Sequence, residues 1–179
     1  MARVPHSSRE GKEWSAERVA ELSPRRVLDV GPGVGTYVDL LRPLLPASRW
    51  FGLEIHRPYA ERYQLGDRYD DLLIGDVREL DWRAHGRWDL VIFGDVLEHL
   101  DLPDARRAWQ CARRHSAHVL ASLPIVHYPQ GPHDGNVHEC HRVTYDHELV
   151  ARAFPGIVRH ETGRQIGVYL ATGRPGVAG

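Results

Sequence analysis

The stretch Val27-Leu28-Asp29-Val30-Gly31-Pro32-Gly33-Val34-Gly35-Thr36 decides the fold of this 179-residue chain. It predicts a short buried strand that runs into a tight glycine turn and then into a helix. Glycines allow left-handed backbone dihedral angles and the close approach of a ligand to the main chain. Ligands of open α/β sheets bind beyond the carboxyl ends of the strands, so we expect this turn to form the floor of a nucleotide-like site.

The spacing of the three glycines favours one kind of cofactor over another. Dinucleotide-binding proteins use the pattern G-x-G-x-x-G, with a pyrophosphate at the helix N-terminus. Here Gly31, Gly33 and Gly35 follow the pattern G-x-G-x-G, and Asp29 lies two residues before the first of them. A carboxylate there would repel a pyrophosphate but attract a positively charged ligand. The motif therefore favours a cationic, amino-acid-bearing cofactor.

Two further acids lie at the carboxyl ends of predicted strands. Glu54 ends the second strand, where a carboxylate can accept hydrogen bonds from both hydroxyls of a ribose or can simply be solvated. Asp76 ends the third strand, where it can accept from an adenine amino group beside the backbone N–H of Val77. Asp76 can also cap a helix, and the two roles are compatible.

Strand-like and helix-like segments alternate along the chain, which favours a parallel α/β sheet covered on both faces. The last two strand-like segments can pair with each other as antiparallel strands. The predicted strands are Arg26–Val30, Trp50–Ile55, Asp71–Gly75, Trp88–Phe93, Ala117–Leu123, Gly156–Glu161 and Gln165–Leu170. The predicted helices are Glu13–Leu22, Thr36–Leu45, Pro58–Tyr63, Pro103–Arg114 and a last helix that is capped by Thr144 or Asp146 and runs to Phe154.

Composition excludes several functional classes. The chain has 23 basic and 24 acidic residues, and this balance gives no general attraction to nucleic acid. No run approaches the roughly 20 apolar residues that cross a bilayer, so we expect no membrane partner. Two cysteines without a disulfide framework suit a reducing cytoplasm. We expect one domain over residues 1–179, with a possible N-terminal lid helix within residues 1–22 and an acceptor-site loop over residues 124–143.

These ordered motifs resemble the class I S-adenosylmethionine-dependent methyltransferases, and the resemblance covers roughly residues 25–170. Asp29 to Gly35 is similar to the glycine-rich first motif of that family, Glu54 to its ribose-binding acid and Asp76 to its adenine-side acid. The run from Trp88 to Leu100 is similar to the fourth-strand motif of its small-molecule subgroup. The resemblance implies a Rossmann-like, doubly wound, seven-stranded, mostly parallel sheet whose last strand is antiparallel. It implies S-adenosylmethionine (SAM) as cofactor and S-adenosylhomocysteine (SAH) as product.

The resemblance also gives roles to residues beyond the glycine turn. Asp95 ends the fourth strand, where family members often contact the methionine end of the cofactor or the substrate, although Asp95 can equally cap the next helix. The predicted cofactor-binding residues are therefore Asp29, Gly31, Gly33, Gly35, Glu54, Asp76, Val77 and Asp95.

A histidine-rich loop follows the fifth strand and should overhang the same crevice. Long loops in compact domains are often functional. In one interpretation a histidine is a general base, with His138 or His141 the first choice and His99 the third. In a second, the loop residues His133, Asp134, His138, Glu139 and His141 bind a divalent metal, although their spacing matches no standard signature and we predict no metal ligands. In a third, the histidines only shape the pocket.

The sequence thus predicts an enzyme that transfers a methyl group from SAM to an oxygen or nitrogen of a small molecule of secondary metabolism. Methyltransferases of base or glutamine nitrogens carry an Asn/Asp-Pro-Pro-Tyr motif after the fourth strand. This chain has Gly94-Asp95-Val96-Leu97 there, which argues against those substrates. Two alternatives are a nicotinamide-dependent oxidoreductase on the same sheet and a cofactor-binding scaffold without turnover. The acceptor and the choice between monomer and homodimer stay open.

Overall fold

The computed structural model describes residues 9–174, which form a single seven-stranded sheet with helices on both faces. The strands lie in the order β3-β2-β1-β4-β5-β7-β6. Their bounds are β1 Arg26–Val30, β2 Arg49–Glu54, β3 Asp71–Ile74, β4 Trp88–Gly94, β5 Ser116–Pro124, β6 Ile157–Thr162 and β7 Ile166–Thr172. The helices are α1 Lys12–Leu22, α2 Thr36–Leu41, α3 Arg57–Arg62, α4 Leu102–His115 and α5 His147–Ala153.

The predicted fold class is confirmed. Strands β3, β2, β1, β4 and β5 pair in parallel, whereas β7 pairs antiparallel with both β5 and β6. Successive strands run outward from β1 through β2 to β3, and the chain then returns to place β4 on the other side of β1. This reversal separates the loops that follow β1 and β4, and open sheets bind ligands in the crevice that such a reversal leaves.

Side chains of the central strands point alternately into two hydrophobic cores, one on each face of the sheet. In β1, Leu28 packs in the core on one face of the sheet and Val27 in the core on the other. Successive strand residues point to opposite faces, so a strand buried on both sides needs apolar residues at nearly every position. The first core includes Trp109 of α4, which is fully buried, and the second includes Val19 of α1.

Most predicted elements differ from the observed ones by one or two residues, but α2 is shorter than expected. We predict a helix to Leu45, whereas α2 ends at Leu41 and a 3₁₀ turn continues over Arg42–Leu44. Pro43 lies inside that turn. Proline has no N–H to donate to the carbonyl four residues earlier, so the α-helix cannot run through it.

Helices among the described residues are all too short or too polar to cross a membrane. The two cysteines, Cys111 and Cys140, are both free thiols.

Of the two candidate caps for the last helix, Asp146 is the one used, because its carboxylate accepts a 2.7 Å hydrogen bond from Leu149 N. We expect Asp146→Ala to lower the free energy of unfolding by about 1 kcal/mol, since the first turn of α5 loses the acceptor for one N–H group. Urea denaturation measures the change. The matched control Thr144→Ala removes the other candidate cap, and an equal loss in both variants would contradict the assignment.

Candidate active site

A cleft of about 960 Å³ opens at the carboxyl edge of the sheet, where the strand order reverses. Its walls come from the glycine turn after β1, from the ends of β2, β3 and β4, and from the long loop after β5. Most of the predicted site residues line it together: Gly31, Gly33, Glu54, Asp76, Val77, Asp95, His99, His138 and His141. Asp29 and Gly35 do not line it.

The glycine turn needs its glycines for two different reasons. Gly31 and Gly33 have φ angles of 63° and 54°, in the left-handed region that other residues avoid. A Cβ on Gly31 would lie 2.6 Å from a methyl carbon of Val96, so that position is closed by the protein itself. A Cβ on Gly33 would meet no atom within 4 Å, so the main chain there faces open space. Gly33 is therefore the point at which a ligand can approach the backbone.

Gly35 belongs to the framework beneath the turn. Arg68 donates to the carbonyl oxygens of Val34 and Gly35, at 2.6 Å and 2.9 Å. A Cβ on Gly35 would clash with the Arg68 guanidinium at 2.3 Å. This glycine is thus explained by the packing of Arg68.

Glu54 joins the end of β2 to the glycine turn. Its carboxylate accepts hydrogen bonds from Gly33 N at 3.2 Å and from His56 N at 2.8 Å. The side chain lines the cleft although the residue is only 3% exposed. Burial raises the pKa of Glu54, although the hydrogen bonds from the two backbone N–H groups lower it in part. Two N–H groups leave lone pairs unused on a carboxylate, so Glu54 can accept further hydrogen bonds from the cleft.

Asp76 does not cap a helix in this structure. It lies in the turn after β3, where it accepts from Arg78 N at 2.9 Å and from the Arg78 guanidinium. Burial alone would raise the pKa of Asp76, but the hydrogen bonds from Arg78 outweigh it and lower the pKa. A permanently ionised acceptor therefore lies beside buried Val77 at this end of the cleft.

Asp29 lies one layer below the cleft, and sequence reasoning missed its partner. Tyr69 donates its hydroxyl to the Asp29 carboxylate at 2.6 Å, and Asp29 is only 1% exposed. Burial raises the pKa of Asp29 to about 7, and the hydrogen bond from Tyr69 and the charge of Lys12 only partly oppose it. Asp29 therefore supports the end of β1 from below, without touching the cleft.

Lys12, the only lysine of the chain, is a second residue to which the sequence analysis gave no role. It reaches from the first turn of α1 to the carboxyl edge of the sheet, where Nζ donates to Ser122 Oγ at 3.4 Å and lies 3.9 Å from Asp95 Oδ2. Ser122 in turn donates to Asp95 Oδ1 at 3.0 Å. Asp95 adopts a left-handed φ of 58°, and these partners fix its carboxylate at the cleft. The sequence offered one indication that Lys12 has a special role, because it is the only lysine beside 22 arginines.

The described part of α1 does not cover the cleft. Its residues are absent from the cleft lining, and Trp14 packs against the core beneath the sheet. The predicted lid over residues 1–22 therefore depends on residues 1–8, which lie outside the described residues.

The three candidate histidines separate into two groups. His99 and His141 lie edge to face, with ring centroids 4.8 Å apart. Burial lowers the pKa of His99 to about 4, with the neighbouring His141 contributing, and burial also lowers the pKa of His141. His138 is exposed and lies near Asp76 and His56. The charge of His138 contributes to lowering the pKa of both residues.

Glu98 is the third functional residue that the sequence analysis left unassigned. It lies in the 3₁₀ turn Leu97–His99 after β4, is 1% exposed, and lines the cleft. Neither carboxylate oxygen has a hydrogen-bond partner in the described part of the chain. Burial raises the pKa of Glu98 well above its ordinary value, and the charge of Asp95 adds to the effect.

The five loop residues considered as metal ligands do not converge. Asp134 is tied to Arg62 by a 2.7 Å ion pair, and Glu139 accepts from Gln130 at 3.1 Å. Among residues 9–174, the histidine, cysteine and acidic side chains that converge are instead Glu98, His99 and His141, whose ligand atoms lie within 4.8 Å of one another.

Replacing the buried carboxyl of Asp29 should change how stability depends on pH. A native pKa of about 7 against an ordinary value of 3.8 means that the native state holds a proton that the unfolded chain has released. This contribution to stability is present at low pH and is lost as the pH rises to 7. Between pH 4.5 and 7.5 we expect the wild type to lose about 3 kcal/mol more than Asp29→Asn in urea denaturation. The control is Asp71→Asn at an exposed site, and parallel pH profiles for all three proteins would refute the assignment.

Comparison with known proteins agrees with this geometry. A family profile described as a methyltransferase domain matches residues 8–144. No curated protein sequence matches the chain.

Solved structures share the fold at low sequence identity. The N-terminal domain of EvdMO1, determined with SAH bound and also in the presence of SAH and D-fucose, has a TM-score of 0.67 at 18% identity. The match to the SAH complex covers 93% of this chain and 82% of that domain. A SAM-dependent methyltransferase from Clostridium acetobutylicum has a TM-score of 0.69 at 11% identity, covering 92% of this chain and 91% of the other. The mitomycin 7-O-methyltransferase MmcR has a TM-score of 0.64 at 17% identity, covering 90% and 52%.

The profile covers most of the chain, and the seven-stranded sheet is the one that the glycine motif predicts. The alternative of a nicotinamide-dependent oxidoreductase is therefore wrong, and the chain belongs to the class I S-adenosylmethionine-dependent methyltransferases.

Proposed function

We propose that this protein transfers a methyl group from SAM to an oxygen atom of a small molecule. The observation that carries the proposal is the order of groups along one cleft. The open main chain at Gly33, the buried acceptor Glu54 and the ionised acceptor Asp76 follow one another along the sheet edge. The His99–His141 pair lies away from them, beside Asp95.

In this proposal the cofactor is assigned to the residues that the sequence analysis named. Glu54 accepts from the ribose hydroxyls, Asp76 and the N–H of Val77 meet the adenine edge, and Asp95 faces the amino-acid end. The open backbone at Gly33 accommodates the chain between them. The EvdMO1 domain, which has a related fold, was crystallised with SAH bound, and this supports SAM as the cofactor here.

The residues beside Asp95 receive the acceptor in this proposal. When bound, SAM supplies a methyl group on a cationic sulfur, and the C–S bond breaks as an oxygen lone pair forms the new O–C bond. The chain must align that oxygen with the methyl carbon and let the hydroxyl proton leave. His99 and His141 are placed for these tasks, whereas His138 lies on the adenine side. We therefore assign His138 to the cofactor end and withdraw it as first choice for a base.

The size of the cleft favours a small acceptor. Pockets for small ligands and cofactors range from about 300 to 1,000 Å³, so 960 Å³ holds the cofactor together with a compact second molecule. The neighbour MmcR is a 7-O-methyltransferase of mitomycin, and EvdMO1 was studied with a sugar. Both support an oxygen acceptor on a biosynthetic intermediate. Near-neutral charge argues against nucleic acid, and two free thiols suit a cytoplasmic setting.

The assignment of Glu54 can be tested by binding alone. We expect Glu54→Gln to raise the dissociation constant of SAH by about 10- to 100-fold, because the amide replaces a charged acceptor of the ribose hydroxyls. Calorimetric titration of SAH into each protein measures the change. The control is Glu61→Gln, an exposed glutamate of α3 outside the cleft, which should bind SAH as the wild type does. Absence of saturable SAH binding in the wild type would overturn the cofactor site itself.

The acceptor class can be tested with a labelled methyl group. The enzyme, SAM carrying a trideuteromethyl group and a whole extract of the source cells should give a labelled small-molecule product by mass spectrometry. Fragmentation should place the label on oxygen. Label on nitrogen would contradict the choice of atom, and label confined to macromolecules would contradict the choice of substrate class.

A further inference from the structure

The cluster of Glu98, His99 and His141 has the composition of a metal site and is not explained by packing. One ligand atom from each residue lies within 4.8 Å of the other two. Metal–ligand bonds of about 2.1 Å at tetrahedral angles place the ligand atoms of one ion roughly 3.4 Å apart. Movements of less than about 1 Å per side chain therefore bring all three atoms to one ion.

Glu98 provides the strongest indication that something binds there. The residue is 1% exposed, lines the cleft, and has no hydrogen-bond partner on either carboxylate oxygen among the described residues. An ionised carboxylate in such a place costs several kcal/mol unless it is paired or ligates a metal. Lys12 forms its ion pair with Asp95 at 3.9 Å and acts on Glu98 only through its charge, without a direct contact to either carboxylate oxygen.

Both histidine rings are already oriented in the way that metal ligands are. His99 Nδ1 lies 3.3 Å from the carbonyl oxygen of Cys140, and His141 Nδ1 lies 2.6 Å from that of Tyr128. A carbonyl can only accept, so Nδ1 of His141 carries the hydrogen and its Nε2 keeps the lone pair, whereas the ring of His99 also faces the backbone carbonyl of Asp95. Metal-bound histidines typically donate their second ring N–H to a carbonyl or carboxylate in this manner.

We propose that Glu98, His99 and His141 bind one divalent transition-metal ion at the wall of the cleft. Two imidazoles and one carboxylate suit an ion such as Mn²⁺, Co²⁺ or Zn²⁺ better than Mg²⁺ or Ca²⁺, which prefer oxygen ligands. Three protein ligands leave positions open toward the cleft, as in catalytic rather than structural sites. The chain would supply two ligands from consecutive positions after β4 and the third from the loop after β5.

The role of the ion, though not its binding, depends on the proposed function. A metal-bound hydroxyl loses its proton more readily than a free one, so the acceptor oxygen could release its proton to water and attack the methyl carbon. His99 and His141 would then be ligands, and neither would need to act as the base.

The test is a binding measurement on the full-length protein without SAM or acceptor. After dialysis against chelator, Mn²⁺ is titrated and the free ion is followed by its electron paramagnetic resonance signal. Co²⁺ is titrated in parallel and followed by visible absorption, which reports nitrogen ligands. We expect one ion per chain, with affinity reduced at least 30-fold in Glu98→Gln and in His141→Ala.

Two controls make the result decisive. His138→Ala and His133→Ala remove other cleft histidines and should leave metal affinity unchanged. SAH titration into every variant reports the cofactor site separately, and SAH should bind Glu98→Gln as it binds the wild type. If Glu98→Gln does not fold, His141→Ala carries the comparison, because His141 is only partly buried.

The outcomes separate the two proposals. Normal SAH binding with no Mn²⁺ or Co²⁺ bound, or with binding equal in wild type and variants, would overturn the metal site and leave the methyltransferase proposal standing. A single ion lost in Glu98→Gln and His141→Ala, together with failed SAH binding in the wild type, would support the metal site and overturn the cofactor assignment.

Discussion

The site depends on one buried carboxylate, which joins the turns that follow two neighbouring strands. Glu54 accepts the N–H of Gly33 from the turn after β1 and the N–H of His56 from the turn after β2. An unpaired carboxylate at 3% exposure would be costly, so the turn must present its N–H for β2 to end there. Gly33 makes this hydrogen bond with a left-handed φ of 54°, and its outer side is open. The floor of the cleft thus includes a buried carboxylate whose partners are backbone N–H groups of two neighbouring turns.

Much of the fold follows from the sequence because its signals are local. The apolar runs of β1, β4 and β5 are buried on both faces, and such strands differ clearly from the amphipathic helix α4 between them. Element ends were less certain where two local rules compete. Pro43 stops an α-helix but permits a 3₁₀ turn, and the apolar spacing through Leu44 could not distinguish these. Asp146 and Thr144 offered equivalent caps, and only the path of the chain decides which oxygen faces Leu149 N.

The candidate site was predictable only as far as strand ends dictate it. Glu54, Asp76 and Asp95 lie at the cleft because parallel strands end at one edge, whatever their side chains do. Contacts between residues far apart in sequence left no such pattern. The Tyr69 hydroxyl meets Asp29 across 40 positions, and Lys12 meets Ser122 across 110. The second pair reaches the cleft through Asp95, which both of its members contact. From the sequence, Glu98 is indistinguishable from any other acidic residue in a turn. Only the folded structure shows that its carboxylate is buried without a hydrogen-bond partner among the described residues.

Electrostatics connect the two ends of this cleft. Six acidic residues line the cleft against two arginines, Arg78 and Arg142, and Lys12 offsets a further part of the acidic charge from beneath. Burial weakens this field where it raises the pKa of Glu54 and Glu98, whereas Asp76 keeps its charge because Arg78 holds it ionised. Under the proposed function the cofactor enters with a cationic sulfur and leaves with a neutral one. A cleft of net negative charge therefore binds SAM more tightly than SAH by the sulfonium term alone, and this difference favours release of the product. A divalent ion at Glu98 would reduce that preference locally while increasing the negative charge on the acceptor oxygen, so the two charges act on different steps of one reaction.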